Sequence, residues 1–366
     1  MQYANNHLAY QFYEGERTSC ISRTKRAGSI GNEMSFQTVI AQPVHRPVLE
    51  QLRALGDVIP NPGPEPWQNA ELAGHCQGAQ ALMAFMTETV DEAFLERCPK
   101  LKIVAGALKG YNNIDVEACT RRSVAVTIVP DLLTEPTAEL AIGLMIAIAR
   151  QVGPGDRYVK SGAFNGWRPR FYGDSINGAT VSVIGAGAVG QAILRMLAGF
   201  SCQRLYVDKN PLSEALKESL DCRRSSLDEA LGASDFIVLG VHLMASTRHM
   251  VDAEFITRMK PGSYLVNPAR GSLVDEDAVA RGLHSGHLGG YAADTFEMED
   301  WALIDRPRAV HPGLIESDKT ILTPHIGSAV TSVRKAIEHS AAQSIISVAN
   351  GEIPDSAVNK PALLAR

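Results

Sequence analysis

VSVIGAGAVGQAILRML, residues 181–197, decides the fold. The apolar run Val181–Ile184 reads as a buried strand, and the stretch from Gln191 has helical spacing. Between them, Gly185, Gly187 and Gly190 stand in G-x-G-x-x-G spacing. In a strand–turn–helix unit each glycine has a task. The first makes the tight turn, the second lets backbone approach a pyrophosphate, and the third lets helix pack closely on strand. The helix start, with Ala188 and Val189 in its first turn, offers free N–H groups to negative charge. The next apolar segment, RLYVD, ends in Asp208, 18 residues beyond Gly190. A carboxylate there accepts from ribose hydroxyls and repels a 2′-phosphate, so NAD is expected in preference to NADP. Lys209 works weakly against that preference.

The same alternation runs along the chain in both directions. FQTVIA, AQALMAF, LKIVAGAL and VAVTIVP read as strands upstream, with PVLEQLRAL and DEAFLERCP as helices between them. Downstream, TVSVIG, RLYVD, DFIVLGV, SYLVNPA, GGYAAD and ILTPHI read as strands. Strands alternating with helices predict an α/β fold with parallel sheets. In LTEPTAELAIGLMIAIARQV, Pro136 suits a first helical turn, and the apolar residues that follow run nearly all round the helix. Such a helix must be buried on several sides, in the core and against a second subunit. The tail segment SVRKAIEHSAAQSIISVANG reads as a last helix that returns to the first half of the fold.

The 366 residues suggest about two domains. The mixture is that of a globular chain, 45% hydrophobic and 20% charged, with a formal net charge of -5. That charge, without a basic cluster, gives no footprint for nucleic acid or for anionic membranes. No run of about 18 apolar residues is present, so no spanning helix is expected. The six cysteines, at 20, 76, 98, 119, 202 and 222, include no C-x-x-C pair. They predict free thiols in a cytoplasmic protein and no metal site. Residues 1–33 are polar and lack an apolar h-region, which predicts a disordered extension rather than a secretory signal. The folded part is expected to begin at Met34, just before SFQTVIAQP.

Three segments follow the glycine motif: VNPARGSLVDEDAV, AADTFEMEDW and TPHIGS. They supply Arg270, Glu299 and His325, each just after an expected strand. Open α/β sheets bind ligands outside the carboxyl ends of their strands, so the three can share one crevice. Histidine exchanges protons near neutral pH. A carboxylate beside it fixes its tautomer, and arginine holds an anion through a planar fork. Singly each residue is unremarkable; their order after three successive strands makes them candidates for catalysis.

The glycine motif, ARGxxVD, ADTFExE and TPHIGS together resemble the D-2-hydroxyacid dehydrogenases from Met34 onward. The resemblance implies two Rossmann-like doubly wound domains, with the cofactor domain inserted into a discontinuous substrate domain. Residues 34–132 and 326–366 would form the substrate domain and 133–325 the NAD-binding domain. It also implies a homodimer. AQALMAFM, GALKGYNNIDVEACT, VPDLLTEPTAELAIGL, GWRPRFYG and GGYAADTFEMEDW are similar, more narrowly, to the phosphonate (phosphite) dehydrogenases of that family. This implies oxidation of phosphite to phosphate with reduction of NAD. By that resemblance Lys109, Gly110 and Arg270 bind the anion, and Glu299 orients the base His325. Met86, Trp167, Tyr172 and Ser328 line the site, and Thr137 and Asp294 approach the cofactor. Lys109 beside Arg270 would offer two cations to a dianion. Asn112, His242 and Met244 depart from the family pattern, and His242 is a minor second candidate for the base. Two other readings remain open. One is a glyoxylate or hydroxypyruvate reductase with the same Arg–Glu–His set; the other is a nucleotide-sensing binding protein on the same fold.

Overall fold

The computed structural model describes residues 36–129 and 131–361. The extension expected over residues 1–33 lies outside the described residues. The chain forms two compact units. One comprises the described residues up to Leu108, Ile114–Val129 and those from Lys335 onward; the other comprises Lys109–Asn113 and Pro130–Arg334. The second is thus inserted into the first.

In the first unit, five strands lie in parallel in the order β2-β1-β3-β4-β5. They are β1 (Thr38–Ile40), β2 (Val58–Pro60), β3 (Ala81–Ala84), β4 (Ile103–Gly106) and β5 (Ala125–Thr127). Every residue of β1, β3, β4 and β5 is buried, as parallel strands covered on both faces must be. β2 is an edge strand of half-buried residues ending in Pro60, so neither alternation nor an apolar run marks it in the sequence. Short helices between the strands start on side-chain caps: Asp91 accepts from the Phe94 amide and Asp115 from the Ala118 amide. The last helix, Thr331–Ala349, joins this unit from Lys335, where Glu338 accepts from the His45 backbone amide at 2.8 Å.

The second unit carries seven parallel strands: β6 (Thr180–Ile184), β7 (Gln203–Val207), β8 (Arg223–Arg224), β9 (Phe236–Leu239), β10 (Tyr264–Asn267), β11 (Gly290–Ala293) and β12 (Thr320–Leu322). Their order is β12-β11-β10-β9-β6-β7-β8. The order reverses between β6 and β9, the topological switch point at which doubly wound sheets open a crevice. β8, two exposed arginines at the sheet edge, is the other strand the sequence does not announce. One face of the sheet packs against the Thr134–Ala149 helix, whose Ala138, Ala141, Leu144, Met145 and Ile148 join a core with Val181, Val183, Ile193 and Tyr206. Ile237, Leu239, Phe255, Leu265 and Val279 belong to the second core of this unit.

Gly190 shows why the glycine motif is needed. A Cβ there would lie 2.0 Å from the Gly185 carbonyl oxygen, whereas nothing lies within 4 Å of one at Gly187. Gly190→Ala should therefore destabilise the unliganded protein by about 1–3 kcal/mol, and Gly187→Ala should leave its stability unchanged. Thermal melting of both variants checks this; equal melting temperatures would show that helix and strand do not approach so closely.

Candidate active site

All the sequence-selected cofactor residues of the second unit sit at the carboxyl ends of β6 and β7 or close to the loop after β12. Gly185 turns the chain with φ of +100°, a conformation that favours glycine. Gly187 precedes the Ala188–Met196 helix without a side-chain cap, so the amides of its first turn stay available to an anion. Asp208 follows β7. Its carboxylate accepts from the Ala186 amide at 2.8 Å and from the Asn210 amide at 2.9 Å, which places it against the glycine loop. A left-handed glycine, a close strand–helix approach, an open helix start and an acid beside them fit a dinucleotide.

The catalytic candidates follow β10, β11 and β12. After β10, Asn267 shapes the turn that presents Arg270. Its side-chain amide donates to the Arg270 carbonyl at 2.8 Å, and its Oδ1 accepts from the Ala269 amide at 3.1 Å. The Arg270 guanidinium lies against Gly110; a Cβ on that glycine would meet Arg270 Nη2 at 2.0 Å. Burial pulls the Arg270 pKa down, while the nearby Asp300 and Glu299 charges oppose that. Among the described residues no carboxylate lies within 4.0 Å of the guanidinium, so its charge is available to an anion.

After β11 the chain makes the short turn Glu297–Glu299, and after β12 it reaches His325. Glu299 Oε2 lies 2.6 Å from His325 Nδ1, and Glu299 Oε1 accepts from the Phe296 amide at 2.6 Å. A carboxylate carries no proton to give, so Nδ1–H donates and Nε2 is left for substrate. His325 holds a left-handed backbone, φ +54°, rare for a residue with a side chain. Asp294 explains how it is held. Its carboxylate accepts from the Thr323 hydroxyl at 2.6 Å and from the Ile326 and Gly327 amides, each at 2.8 Å, and its carbonyl accepts from the His325 amide at 2.9 Å. Asp294, expected near the cofactor, thus follows β11 and holds the loop that carries His325. Thr137 Oγ1 is beside the same loop, 3.3 Å from a Cβ built on Gly327. Ser328 follows on that loop, half-buried.

Trp167 is 78% exposed and Tyr172 74% exposed, so within one chain neither shields a site from water. Met86 belongs to the first unit, on the turn after β3. There Glu88 accepts from the Phe85 amide at 2.5 Å and the Thr87 hydroxyl at 2.6 Å, and burial raises the Glu88 pKa. His242 is exposed, and its carbonyl accepts from the Thr247 hydroxyl. Sequence reading gave no role to Asn267 or Asp300. Asp300 is buried, and its Oδ2 accepts from the Ser272 amide at 2.7 Å. Burial raises its pKa, and the hydrogen bonds from Ser272 and the Arg270 charge pull it back. An acid directly between Glu299 and Trp301 was its one sequence signal.

A glycine-cradled dinucleotide crevice with an arginine and a carboxylate–histidine pair defines an NAD-binding oxidoreductase. The comparisons give the family. Residues 142–327 match the D-isomer specific 2-hydroxyacid dehydrogenase, NAD binding domain. A glyoxylate reductase of Pyrococcus furiosus is 39% identical over 291 residues, 78% of this chain and 84% of that protein. A crystal structure of a glyoxylate reductase from Paecilomyes thermophila aligns with a TM-score of 0.77 at 26% identity, covering 89% of this chain and 98% of that one. The crystal structure of D-lactate dehydrogenase from Aquifex aeolicus, complexed with NAD and lactic acid, also gives 0.77 at 26% identity, covering 89% and 100%. The chain belongs to the D-isomer specific 2-hydroxyacid dehydrogenase family.

The narrower expectation of a phosphonate (phosphite) dehydrogenase, with phosphite as substrate, is corrected by these findings. Curated relatives 30–39% identical carry the name glyoxylate reductase. The physical ground for the expectation also weakens. Lys109 Nζ lies 3.0 Å from Asp131 Oδ1 and 3.4 Å from the Thr134 hydroxyl, so it is not a second free cation beside Arg270.

If His325 is the proton-transfer group, His325→Asn should lower turnover by about 10²- to 10⁴-fold while NADH binding, read by fluorescence titration, stays as in the parent protein. Full turnover in that variant would remove His325 from the chemistry.

Proposed function

We propose that the chain reduces a short 2-oxo acid such as glyoxylate or hydroxypyruvate to the 2-hydroxy acid with NADH, and runs the reverse oxidation. The arrangement that carries this reading is an arginine that has no carboxylate partner among the described residues, set against Gly110, in the same unit as an imidazole held by Glu299 at 2.6 Å. The names of the relatives support the substrate class.

In this reading Arg270 and backbone N–H groups beside Gly110 hold the substrate carboxylate. Gly185, Gly187, Gly190 and Asp208 hold the dinucleotide, with the first turn of the Ala188–Met196 helix at its phosphates. When bound, the nicotinamide supplies or takes up the hydride. As C2 of the oxo acid gains that hydride, the carbonyl oxygen gains the proton of His325 Nε2. Glu299 stabilises the imidazolium before transfer and keeps the ring in the required tautomer. Oxidation retraces the path, with neutral His325 taking the hydroxyl proton.

NADH consumption at 340 nm tests the reading. Glyoxylate- or hydroxypyruvate-dependent oxidation of NADH, lost in Arg270→Ala through a raised KM, is the expected result. Phosphite-dependent NADH formation without turnover of either oxo acid would overturn it.

We also propose a homodimer formed through residues 131–172. The Val152–Lys160 helix buries none of its residues within the chain, and Ile146, Val152, Val159, Phe164 and Trp167 are all exposed. So long an apolar strip is costly to leave in water. Light scattering should give twice the chain mass, falling to one chain for Phe164→Glu combined with Trp167→Glu. A monomeric parent protein would refute the interface. All cysteines among the described residues are free thiols, which supports a reducing, cytoplasmic setting.

A further inference from the structure

We propose that His249 is a positioning residue that ties together the two turns carrying Arg270 and Glu299. The proposal rests on the role of those residues in the function above.

Arg270 runs directly into the turn Gly271–Leu273, and Glu299 closes the turn Glu297–Glu299. The two turns touch. A Cβ on Gly271 would fall 1.8 Å from the Phe296 carbonyl carbon, so only glycine permits the approach. Asp300 reinforces the contact through its 2.7 Å bond from the Ser272 amide.

His249 comes from a third element, the segment after β9. Its amide donates to the Ser272 carbonyl at 2.8 Å, and its ring Nε2 lies 2.9 Å from Glu297 Oε2. The backbone thus holds the arginine turn while the ring holds the carboxylate turn. The attachment to the first turn continues through Val251, which donates to the Leu273 carbonyl at 3.0 Å and accepts from the Asp275 amide at 3.0 Å. His249 adopts φ +51° at this place, a conformation that disfavours side chains other than those with a local reason for it.

The ring's target is itself fixed. Glu297 Oε1 accepts from the Glu276 amide at 3.1 Å, and the Glu297 amide donates to Glu276 Oε1 at 2.9 Å. Glu276 Oε2 accepts from the His311 amide at 2.9 Å. Two buried carboxylates therefore meet, each satisfied by the other's backbone, and His249 is the imidazole on their open side. The other charges near it are Asp305 and its partner Arg248, 2.8 Å apart. The His249 side chain is 38% exposed, so it contributes little to a core. Its contacts are the tie itself.

Glu299 is held to His325 over 2.6 Å, a separation that tolerates little movement. Misplacement of catalytic groups by an ångström lowers rates by about two orders of magnitude. Loosening either turn should therefore act on turnover and on oxo-acid binding without reaching the dinucleotide loop at β6.

The test compares His249→Ala and His249→Gln in the full chain. With saturating NADH, His249→Ala should lower kcat/KM for glyoxylate about tenfold, with the NADH affinity and the melting temperature of the second unit close to the parent values. Glutamine, whose amide can donate to Glu297, should recover most of the loss. A second readout needs no substrate. The proton shared by Glu299 and His325 should give a downfield proton resonance in the free protein; it should broaden or move upfield in His249→Ala and persist in His249→Gln. Kinetics within twofold and an unmoved resonance in His249→Ala would overturn the proposal, as would equal damage by both substitutions. If His249→Ala does not fold, Glu297→Gln should shift the resonance in the same direction, and an unmoved resonance there would count against the tie. A parent protein that reduces no oxo acid, yet shows the resonance shift, would refute the function proposed above and leave the tie standing.

Discussion

Everything at this site depends on holding a carboxylate 2.6 Å from an imidazole when the two arise from different strands. Parallel packing brings the ends of β11 and β12 to one edge, but that alone positions loops only to within several ångströms. The remaining order comes from hydrogen bonds to backbone. Asp294 spends its carboxylate on the loop that carries His325, and the Phe296 amide holds Glu299. Bonds with an ionised acceptor contribute about 1.5–3 kcal/mol each, more than neutral pairs. They are suited to holding His325 in a left-handed backbone that it would not otherwise adopt.

The same device recurs across the unit. Asn267 shapes the turn before Arg270, Asp300 grips the turn after it, and Glu276 and Glu297 exchange backbone bonds behind them. Buried acids are expensive, and burial raises the pKa of both Glu276 and Asp300. Their cost is offset by amides that would otherwise be stranded at the ends of short turns. The region is therefore polar inside and yet ordered, which a packed apolar core at the same place would not achieve while leaving Arg270 its charge.

This explains what the sequence disclosed and what it concealed. The glycine spacing, the acid that ends RLYVD and the order Arg270, Glu299, His325 were legible because each lies within a short motif at the end of an expected strand. Ten of the strands were legible because each lies in a longer apolar run; β2, three residues closed by Pro60, and β8, two exposed arginines, have no such run. The family resemblance points Asp294 toward the cofactor; its bonds to the Thr323 hydroxyl and the Ile326 and Gly327 amides join parts of the chain that only the fold brings near. Trp167 and Tyr172 were read as lining residues by analogy of position, and no local pattern could reveal that they stand in solvent within one chain.

Lys109 is the instructive case. Its place beside Gly110 and the presence of Arg270 suggested two cations facing one dianion. The sequence could not show that Asp131 and Thr134 return to within reach of its ammonium. Lys109 Nζ lies 3.0 Å from Asp131 Oδ1 in an exposed pair, and such surface pairs are weak. Arg270 has no carboxylate within 4.0 Å among the described residues, and Asp300 and Glu299 act on it only from a distance, favouring its charged form. A monocarboxylate can satisfy the planar fork of Arg270 through two parallel hydrogen bonds.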